Sequence, residues 1–430
     1  MKVLFVAAHP PLPLDNGGRL RTFHLLDELS RRADVVLATL DREPGAAYDG
    51  PASSDLEAAI RLALPELRDV AVVPAPPARK RLRQLRTVAG GRSYTDAMHR
   101  SELLVGRVRA AMRSFEPDLV HCDSLFCSYV RPSHPATSAP WVLSMHNDEA
   151  LLKERLAGTA GEWLRRALYH REAEVLAELQ RRALSEFDHV VAVSDAERDR
   201  FAAVRESEAG QSGVGSDVVT VPNGVEPLSE PDGPPVGPGR GEPLRLLFVG
   251  SLNYEPNAQG LEWFVREVAP RVRERVAIEI EVVGPGRRGP ELPGVTYLGR
   301  VDDVGAAYAR AHAAVVPLRA GAGSRLKVVE ALARGVPLVS TSLGVEGYDL
   351  VDGEHALIAD DPEGLAERFA LLDASLRGDR HIAGSLVEAG HAFARDYFWP
   401  RIGDRLASTY ETWAEQAAAI APPGSADGGG

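Results

Sequence analysis

Residues 321–347 read GAGSRLKVVEALARGVPLVSTSLGVEG and join a glycine-rich loop, a helix and a following strand. A strand is predicted to end at Pro317, and the helix is predicted to begin near Ser324. Glycines let a ligand approach the backbone closely, and a helix N-terminus offers unpaired N–H groups to a phosphate. Arg325 and Lys327 add positive charge at the same place. The segment therefore predicts a phosphate-binding turn in an α/β domain.

Spacing alone leaves a second interpretation of this segment open, namely a capped amphipathic helix whose charges are solvated. The rarity of lysine gives Lys327 some weight, because it is one of only four lysines among 49 basic residues. Glu330 follows on the same helix, where a carboxylate can accept hydrogen bonds from two ribose hydroxyls. Both interpretations require the same local α/β structure.

Outward from this segment, the chain alternates between continuous apolar runs, typical of buried parallel strands, and helical patterns. The pattern covers residues 1–225, stops in a Pro- and Gly-rich linker at 226–243, and begins again over 244–399. Two doubly wound α/β domains are therefore predicted, with the ligand site in the cleft between them. A last helix is expected at about 400–419, followed by a disordered tail at 420–430.

Length and composition agree with this division and exclude several classes of protein. The 430 residues suit two domains of about 200 residues each, and the net charge of −12 argues against a nucleic-acid partner. No stretch approaches the ~20 apolar residues of a membrane span, and the N-terminus resembles a strand rather than a signal peptide, so a cytoplasmic protein is expected. Cys122 and Cys127 cannot form a disulfide framework or a zinc site.

Several stretches, taken together, resemble the family 4 glycosyltransferases, which have the GT-B fold of two Rossmann-like domains facing one cleft. The resemblance covers nearly the whole chain in order and is strongest in the C-terminal half. Besides 321–347 it rests on the N-terminal loop with Gly17 and Gly18, VSDAERD (193–199), VPNGV (221–225), GSLNYEPNAQGLEWF (250–264) and GRVDDVGAAYARAHAAVVPL (299–318). It implies retaining transfer of a sugar from a UDP- or GDP-type donor to a hydroxyl acceptor, without a metal or other cofactor. It also implies that the last helix packs back on the first domain.

The resemblance assigns roles to individual residues. His146 is expected in the cleft beside the transferred sugar, as the catalytic position, and Glu330 and Val301 are expected at the ribose and base. The donor phosphates are expected to contact Gly17, Gly18, Gly323, Ser324, Arg325 and Lys327. Further donor or acceptor contacts are expected from Asn16, Asn147, Asp148, Asn223 and Glu346.

Two features depart from the family pattern. Glu330 corresponds to the second glutamate of a Glu-x7-Glu pair, but the first position holds Ala322. The residues that contact the donor sugar therefore do not follow from the family pattern. The loop after the first strand of the second domain reads SLNYEPN and lacks the usual basic residues. We therefore expect Arg325 and Lys327 to supply the positive charge for the phosphates instead.

Simpler structural roles remain open for several of these residues. His146 would form local hydrogen bonds at a strand end, Gly17 and Gly18 would form a tight turn, and Asn147 or Asp148 would cap a helix. Asn223 would end a strand, and Glu346 would have no ligand. For the whole chain, the alternatives are a nucleotide-sugar isomerase of the same fold and a non-catalytic nucleotide-binding relative.

A basic run begins at Lys80 and ends at Arg92, with leucines at helical spacing. It predicts an amphipathic helix that touches an anionic membrane surface or a phosphorylated acceptor, which would place the protein at the inner face of the membrane. A solvated surface helix is the alternative. The loop of Gly17 and Gly18 is not the GxGxxG fingerprint of dehydrogenases, and no DxD-type metal motif lies near the donor signature.

Overall fold

The computed structural model describes residues 1–42, 53–76, 90–133, 138–209, 217–231, 233, 235–286 and 294–420. Within these ranges the chain forms a seven-stranded sheet followed by a six-stranded sheet, and all strand pairs in both are parallel. The predicted fold class, two parallel-sheet α/β domains, is confirmed. Most of the basic run between Lys80 and Arg92, and nearly all of the tail expected at 420–430, lie outside the described residues.

The first sheet has the strand order β3-β2-β1-β4-β5-β6-β7. Side chains of β1 alternate between two buried clusters, with Leu4 and Val6 on one face and Val3 and Phe5 on the other, so helices cover both faces. A 3-10 helix at Leu125–Val130 follows β4. The elements are β1 (Lys2–Ala7), α1 (Gly17–Ser30), β2 (Asp34–Leu40), α2 (Ser53–Ala63), β3 (Asp69–Val73), α3 (Tyr94–His99), α4 (Glu102–Phe115), β4 (Leu119–Cys122), β5 (Trp141–Ser144), α5 (Glu149–Thr159), α6 (Trp163–Glu186), β6 (His189–Ala192), α7 (Asp195–Ala209) and β7 (Val218–Thr220).

The second sheet has the order β10-β9-β8-β11-β12-β13 and is also buried on both faces. Its helix α8 continues through a π-helical turn, Phe264–Val268, into α9, and a 3-10 turn at Arg395–Tyr397 ends the domain. The elements are β8 (Leu244–Val249), α8 (Glu255–Trp263), α9 (Ala269–Arg273), β9 (Ile278–Val283), β10 (Val295–Gly299), α10 (Val304–Arg310), β11 (Ala313–Val316), α11 (Leu326–Ala333), β12 (Leu338–Ser340), β13 (Leu357–Ile358), α12 (Pro362–Arg377) and α13 (His381–Ala394).

The last helix, α14 (Trp399–Ile420), packs on the first sheet although it follows the second domain in sequence. Its Trp399, Leu406 and Tyr410 lie in the same buried cluster as Val3 and Phe5. The chain crosses back at an isolated parallel bridge between Val225 and Phe398: the Val225 N–H donates to Tyr397 O at 2.9 Å, and the Trp399 N–H donates to Val225 O at 3.0 Å. No described helix is both long enough and apolar enough to span a bilayer.

Both sheets reverse their strand order at the first strand of the domain, between β1 and β4 and between β8 and β11. Loops at the carboxyl ends of these strands diverge to opposite sides and leave room for ligands. The polar residues singled out from the sequence follow such strand ends in both domains.

Candidate functional site

The loop before α11 lies directly against the first domain. The Gly323 N–H donates to Glu197 Oε1 at 3.0 Å, and the Asn223 side-chain amide donates to both the carbonyl and the hydroxyl of Ser324 at 3.0 Å. Gly323 has φ +76°, and a Cβ there would lie 2.6 Å from Asn147 Oδ1 and 2.9 Å from the His146 carbonyl oxygen. Glycine is therefore required at 323 for both backbone conformation and space.

Arg325 precedes α11 and has a guanidinium that is only 7% exposed. Its Nη1 donates to the carbonyl oxygens of Gly323 and Glu346, whereas its Nη2 has no hydrogen-bond partner among the described residues. Burial lowers the pKa of this group from its usual value. A buried N–H group that lacks a partner is costly, so this nitrogen indicates the place of a missing acceptor.

Lys327 extends from the first turn of α11 into the loop after β8. Its Nζ donates to Asn257 Oδ1 at 2.8 Å and lies 4.5 Å from the centroid of the Phe248 ring. Burial, with a smaller contribution from the charge of Arg325, lowers the pKa of Lys327 to about 7. The ammonium group thus stands at the loop in which the sequence, SLNYEPN, has no basic residue of its own.

Glu330 and Val301 lie in the second domain near α10. Burial raises the pKa of Glu330, whose carboxylate accepts a hydrogen bond from Arg334 at 3.3 Å. Val301 is partly buried against the apolar cluster that contains Tyr308. The preceding residue, Arg300, forms an ion pair with Asp15 of the first domain, so the segment of Val301 meets the loop of Asn16.

His146 follows β5 and is held by a buried carboxylate at the end of the neighbouring strand β4. Its Nε2 lies 2.8 Å from Asp123 Oδ1, and Asp123 also accepts bonds from the Thr22 hydroxyl and from His121 Nε2, the latter at 3.2 Å. Burial alone would raise the pKa of Asp123, but the imidazoles of His146 and His121 outweigh it and keep the pKa well below its usual range.

The pairing with Asp123 determines which nitrogen of His146 can meet a ligand. An ionised carboxylate only accepts, so in the neutral ring the proton lies on Nε2 and Nδ1 carries a lone pair. A Cβ at Gly18 would lie 3.7 Å from that Nδ1, which places the loop of Gly17 and Gly18 beside the imidazole. Gly17 itself faces Leu326 of α11, so the glycine loop borders both the histidine and the loop before α11.

Other predicted contact residues already have protein partners. Asn16 caps α1 by accepting from the Arg19 N–H at 3.0 Å, and Asn147 donates weakly to Glu149 at 3.3 Å. Asp148 caps α5 through the Leu151 N–H and also accepts from Gln180 and Arg200, so its carboxylate faces its own domain. Asn16 and Asp148 therefore both cap helices. This role was an open alternative for Asp148 but was not predicted for Asn16.

Glu346 is engaged across the interface between the domains. Arg155 of α5 binds its two carboxylate oxygens at 2.6 and 2.7 Å and also donates to the Gly321 carbonyl at 2.7 Å. Beside this pair, Ala322 is 5% exposed and packs with Ala320 against two leucines of α5, Leu152 and Leu156. Position 322, where the family resemblance leads us to expect a glutamate, is therefore filled by an apolar contact between domains.

Sequence reasoning missed four polar residues of this region: Asp123, Arg155, Glu197 and Asn257. Burial raises the pKa of Glu197 to about 7, and its Oε1 also accepts the Asp148 N–H at 2.9 Å. Two of the four had a signal, since Asp123 follows a buried strand and Glu197 lies in the stretch VSDAERD. His121 and His146 both contact the Asp123 carboxylate. Within the described ranges, no three His, Cys, Asp or Glu side chains are placed to hold a metal ion.

Two family models match this chain, one in each domain. Residues 16–224 match a model described as a glycosyl transferase 4-like domain, and residues 243–373 match one described as glycosyl transferases group 1. The chain belongs to the family 4 glycosyltransferases.

Two similar sequences come from curated proteins. A phosphatidyl-myo-inositol mannosyltransferase of Mycolicibacterium smegmatis is 30% identical over 210 residues, which is 46% of this chain and 53% of that protein. Its counterpart from Mycobacterium leprae is 30% identical over 222 residues, 48% of this chain and 57% of that protein. The chain thus spans about half the length of these curated relatives.

Solved structures with low sequence identity share the fold. Sucrose-phosphate synthase from Thermosynechococcus elongatus has a TM-score of 0.65 at 17% identity, covering 97% of this chain and all of that one. HepE from Anabaena, in complex with UDP and glucose, has a TM-score of 0.61 at 15% identity, covering 96% of this chain and all of that one. The likeness to these enzymes confirms the GT-B arrangement expected from the sequence.

Proposed function

We propose that this family 4 glycosyltransferase transfers a sugar from a nucleoside diphosphate donor of the UDP or GDP type to an acceptor hydroxyl, with retention and without a metal ion. The observation that carries the proposal is the Nη2 of Arg325, buried and lacking a partner at the start of α11. A diphosphate oxygen would supply the missing acceptor, and Lys327, two residues later in the first turn of the helix, would add a second cation.

The donor would lie with its nucleotide on the second domain. Charge grows on the diphosphate as the bond from its oxygen to the anomeric carbon breaks, and Arg325, Lys327 and the N–H groups of α11 would stabilise that charge. The Glu330 carboxylate would accept hydrogen bonds from the ribose hydroxyls in addition to the one from Arg334. Val301 would lie beside the base. HepE, which was solved with UDP and glucose, supports a uridine nucleotide as the first donor to test.

The sugar would face the first domain, where His146 offers the lone pair of Nδ1 to one of its hydroxyls. The glycine loop of Gly17 and Gly18 lies beside that nitrogen and lets both donor and acceptor approach the backbone. The acceptor oxygen then forms the new bond to the anomeric carbon on the face from which the nucleoside diphosphate leaves, and the proton of the acceptor hydroxyl passes to the departing diphosphate oxygen. Contacts between the domains through Glu197 and Asn223 would exclude water from the closed cleft.

A thermal-shift screen with UDP, GDP, ADP and their sugar conjugates tests the donor site. A ligand at 100 times its Kd stabilises a protein by about 2.7 kcal/mol, so the cognate nucleotide raises the Tm of the wild type. Lys327→Met is expected to abolish most of this shift, while the matched control Lys153→Met, in α5, retains it. An equal shift in Lys327→Met and the wild type would contradict the phosphate assignment.

Mass spectrometry of the donor then separates the reactions open to this fold. Transfer converts the sugar nucleotide to a nucleoside diphosphate and requires an added acceptor mixture. An isomerase would convert the donor, without an acceptor, to a product of the same mass, which liquid chromatography ahead of the mass spectrometer resolves from the intact donor. A non-catalytic relative would bind the nucleotide and leave every donor intact.

A further inference from the structure

Glu197, in the first turn of α7, contacts the second domain through only one of its two carboxylate oxygens. Its Oε1 accepts the Asp148 N–H at 2.9 Å and the Gly323 N–H at 3.0 Å, and Arg200 Nη2 lies 3.9 Å from the same oxygen. Its Oε2 is buried and has no hydrogen-bond partner among the described residues. The contact between the domains therefore explains the position of Oε1 but not that of Oε2.

The carboxylate of Glu197 is withdrawn from solvent without full compensation. The side chain is 1% exposed, and burial raises its pKa to about 7, although the Asp148 N–H and the charges of Arg200 and Arg325 act in the opposite direction. A buried polar atom that lacks a partner is costly to the folded protein. Because an ionised carboxylate only accepts hydrogen bonds, the group that satisfies Oε2 must carry a donor.

An unpartnered donor lies at the same loop as this unpartnered acceptor. Arg325, two residues beyond Gly323, has its Nη2 buried without a partner, and its charge is close enough to lower the pKa of Glu197. Tyr254 of the second domain lies near both groups. Burial raises the pKa of its hydroxyl to about 12, with smaller effects from Arg325 and Glu197, yet its side chain is 38% exposed. Both buried groups are therefore close to a side chain that a ligand can reach from solvent.

A phosphate and a hydroxyl differ in which of these two groups they satisfy. A phosphate oxygen accepts from Arg325 Nη2 but offers no proton to a carboxylate, whereas a sugar hydroxyl donates to one. We propose that Glu197 Oε2 accepts a hydrogen bond from a hydroxyl of the donor sugar, while Arg325 Nη2 donates to the diphosphate joined to that sugar. The inference rests on the proposed nucleotide-sugar donor and adds a residue that recognises its sugar.

The surroundings of Glu197 place this contact on the side of the cleft where His146 lies. Asp148, whose N–H binds Glu197, is two residues after His146, and a Cβ at Gly323 would lie 2.9 Å from the His146 carbonyl oxygen. The loop of residues 319–325, RAGAGSR, contains no carboxylate of its own. The sugar would thus be bound from the first domain and its diphosphate from the second. Glu197 therefore contributes to the affinity for the sugar conjugate but not to that for the bare diphosphate.

Calorimetric titration of the wild type and Glu197→Gln at pH 8 tests the assignment. The ligands are UDP, GDP and their glucose, galactose, mannose and N-acetylglucosamine conjugates, and the comparison uses the conjugate that binds the wild type most tightly. In Glu197→Gln the amide oxygen can keep the bonds from Asp148 and Gly323, but the amide nitrogen replaces Oε2 and cannot accept. The ratio of the Kd for the bare diphosphate to the Kd for the conjugate is expected to fall about tenfold or more.

The control Glu206→Gln replaces an exposed carboxylate on the same helix and retains the wild-type ratio. The bare diphosphate should bind Glu197→Gln no more weakly than the wild type, because a nearby negative charge has been removed. Deoxy analogues of the conjugate identify the hydroxyl, since the analogue that lacks it is expected to bind the wild type and Glu197→Gln with similar affinity. Unchanged circular dichroism and Tm show that the fold of the variant is intact.

The outcomes separate this assignment from the proposed function. An equal loss of affinity for the bare diphosphate and the conjugate, the result of a purely structural role, would overturn the assignment of Glu197 and leave the donor site standing. An unchanged ratio, as expected if a buried water satisfied Oε2, would overturn it in the same way. A wild type that binds no nucleoside diphosphate would contradict the proposed function and this assignment together.

Discussion

Asp123 and His146 are joined by a hydrogen bond of 2.8 Å that connects the ends of two neighbouring strands, β4 and β5. The carboxylate is fully buried and also holds Thr22 and His121, so the position of the His146 ring is set from within the first domain. The imidazole is thereby presented to the cleft in one orientation and one tautomer before any ligand arrives.

Replacing Asp123 tests this arrangement. In Asp123→Asn the side-chain amide can donate toward Nε2, which favours the tautomer with its proton on Nδ1 and removes the lone pair offered to the cleft. We expect kcat to fall about 10²-fold while the Kd for the nucleoside diphosphate changes less than twofold. Steady-state kinetics and calorimetric titration measure the two quantities. If Asp123→Asn and His146→Ala act through one feature, the double variant is no slower than His146→Ala alone.

The pKa of Lys327, lowered to about 7, predicts pH-dependent nucleotide binding. A diphosphate favours the charged ammonium, so binding draws a proton onto Lys327 when the pH exceeds its pKa in the unliganded protein. The affinity is therefore expected to fall about tenfold per pH unit between pH 7.5 and 8.5. Calorimetry in buffers of different ionisation enthalpy measures the proton uptake. Lys327→Arg, which stays charged, is the control and should show a flat profile; a flat wild-type profile would refute the assignment.

Some features of the fold and site follow from local sequence. Apolar runs such as KVLFVAA predict parallel strands because both faces of such a sheet are covered, and the structure buries Val3, Leu4, Phe5 and Val6. The loop at Gly323 was predictable because only glycine accepts its backbone conformation. Lys327 was a candidate because lysine is so rare in this chain.

Other features depend on tertiary structure and have no local signal. Asp123 reaches His146 because β4 and β5 are neighbours, an order that the sequence does not encode in any single segment. Arg155 resembles any other arginine until the domains meet and Glu346, 191 positions away, becomes its partner. Ala322 likewise gains its apolar environment only from Leu152 and Leu156 of the other domain.

The ion pair between Arg155 and Glu346 is expected to stabilise contact between the domains. Burial would raise the pKa of Glu346, but the bidentate bond from Arg155 outweighs it and lowers the pKa below its usual value. A double-mutant cycle with Arg155→Met and Glu346→Gln should give a coupling free energy of about 1–3 kcal/mol in thermal unfolding at pH 7, and less as the pH falls and Glu346 is protonated. The exposed pair Arg61–Asp69 is the control, with an expected coupling below about 1 kcal/mol. A coupling near zero for Arg155–Glu346 would show that the pair does not hold the domains together.

A glutamate introduced at position 322 tests the expectation, drawn from the family resemblance, that a side chain there contacts the donor sugar. Ala322 is 5% exposed between Ala320, Leu152 and Leu156, and Arg155, which contacts the neighbouring Gly321, is already bound to Glu346, so a glutamate there would place a carboxylate among apolar side chains. We expect Ala322→Glu to lower the unfolding free energy by about 2 kcal/mol or more, whereas Ala309→Glu on the exposed face of α10 changes it by less than about 0.5 kcal/mol. Denaturant titration measures both. The ratio of affinities for the sugar nucleotide and the bare diphosphate should stay at its wild-type value. A stable Ala322→Glu protein with a higher ratio would mean that the donor sugar does reach position 322, and that the apolar contact with α5 opens when the donor binds.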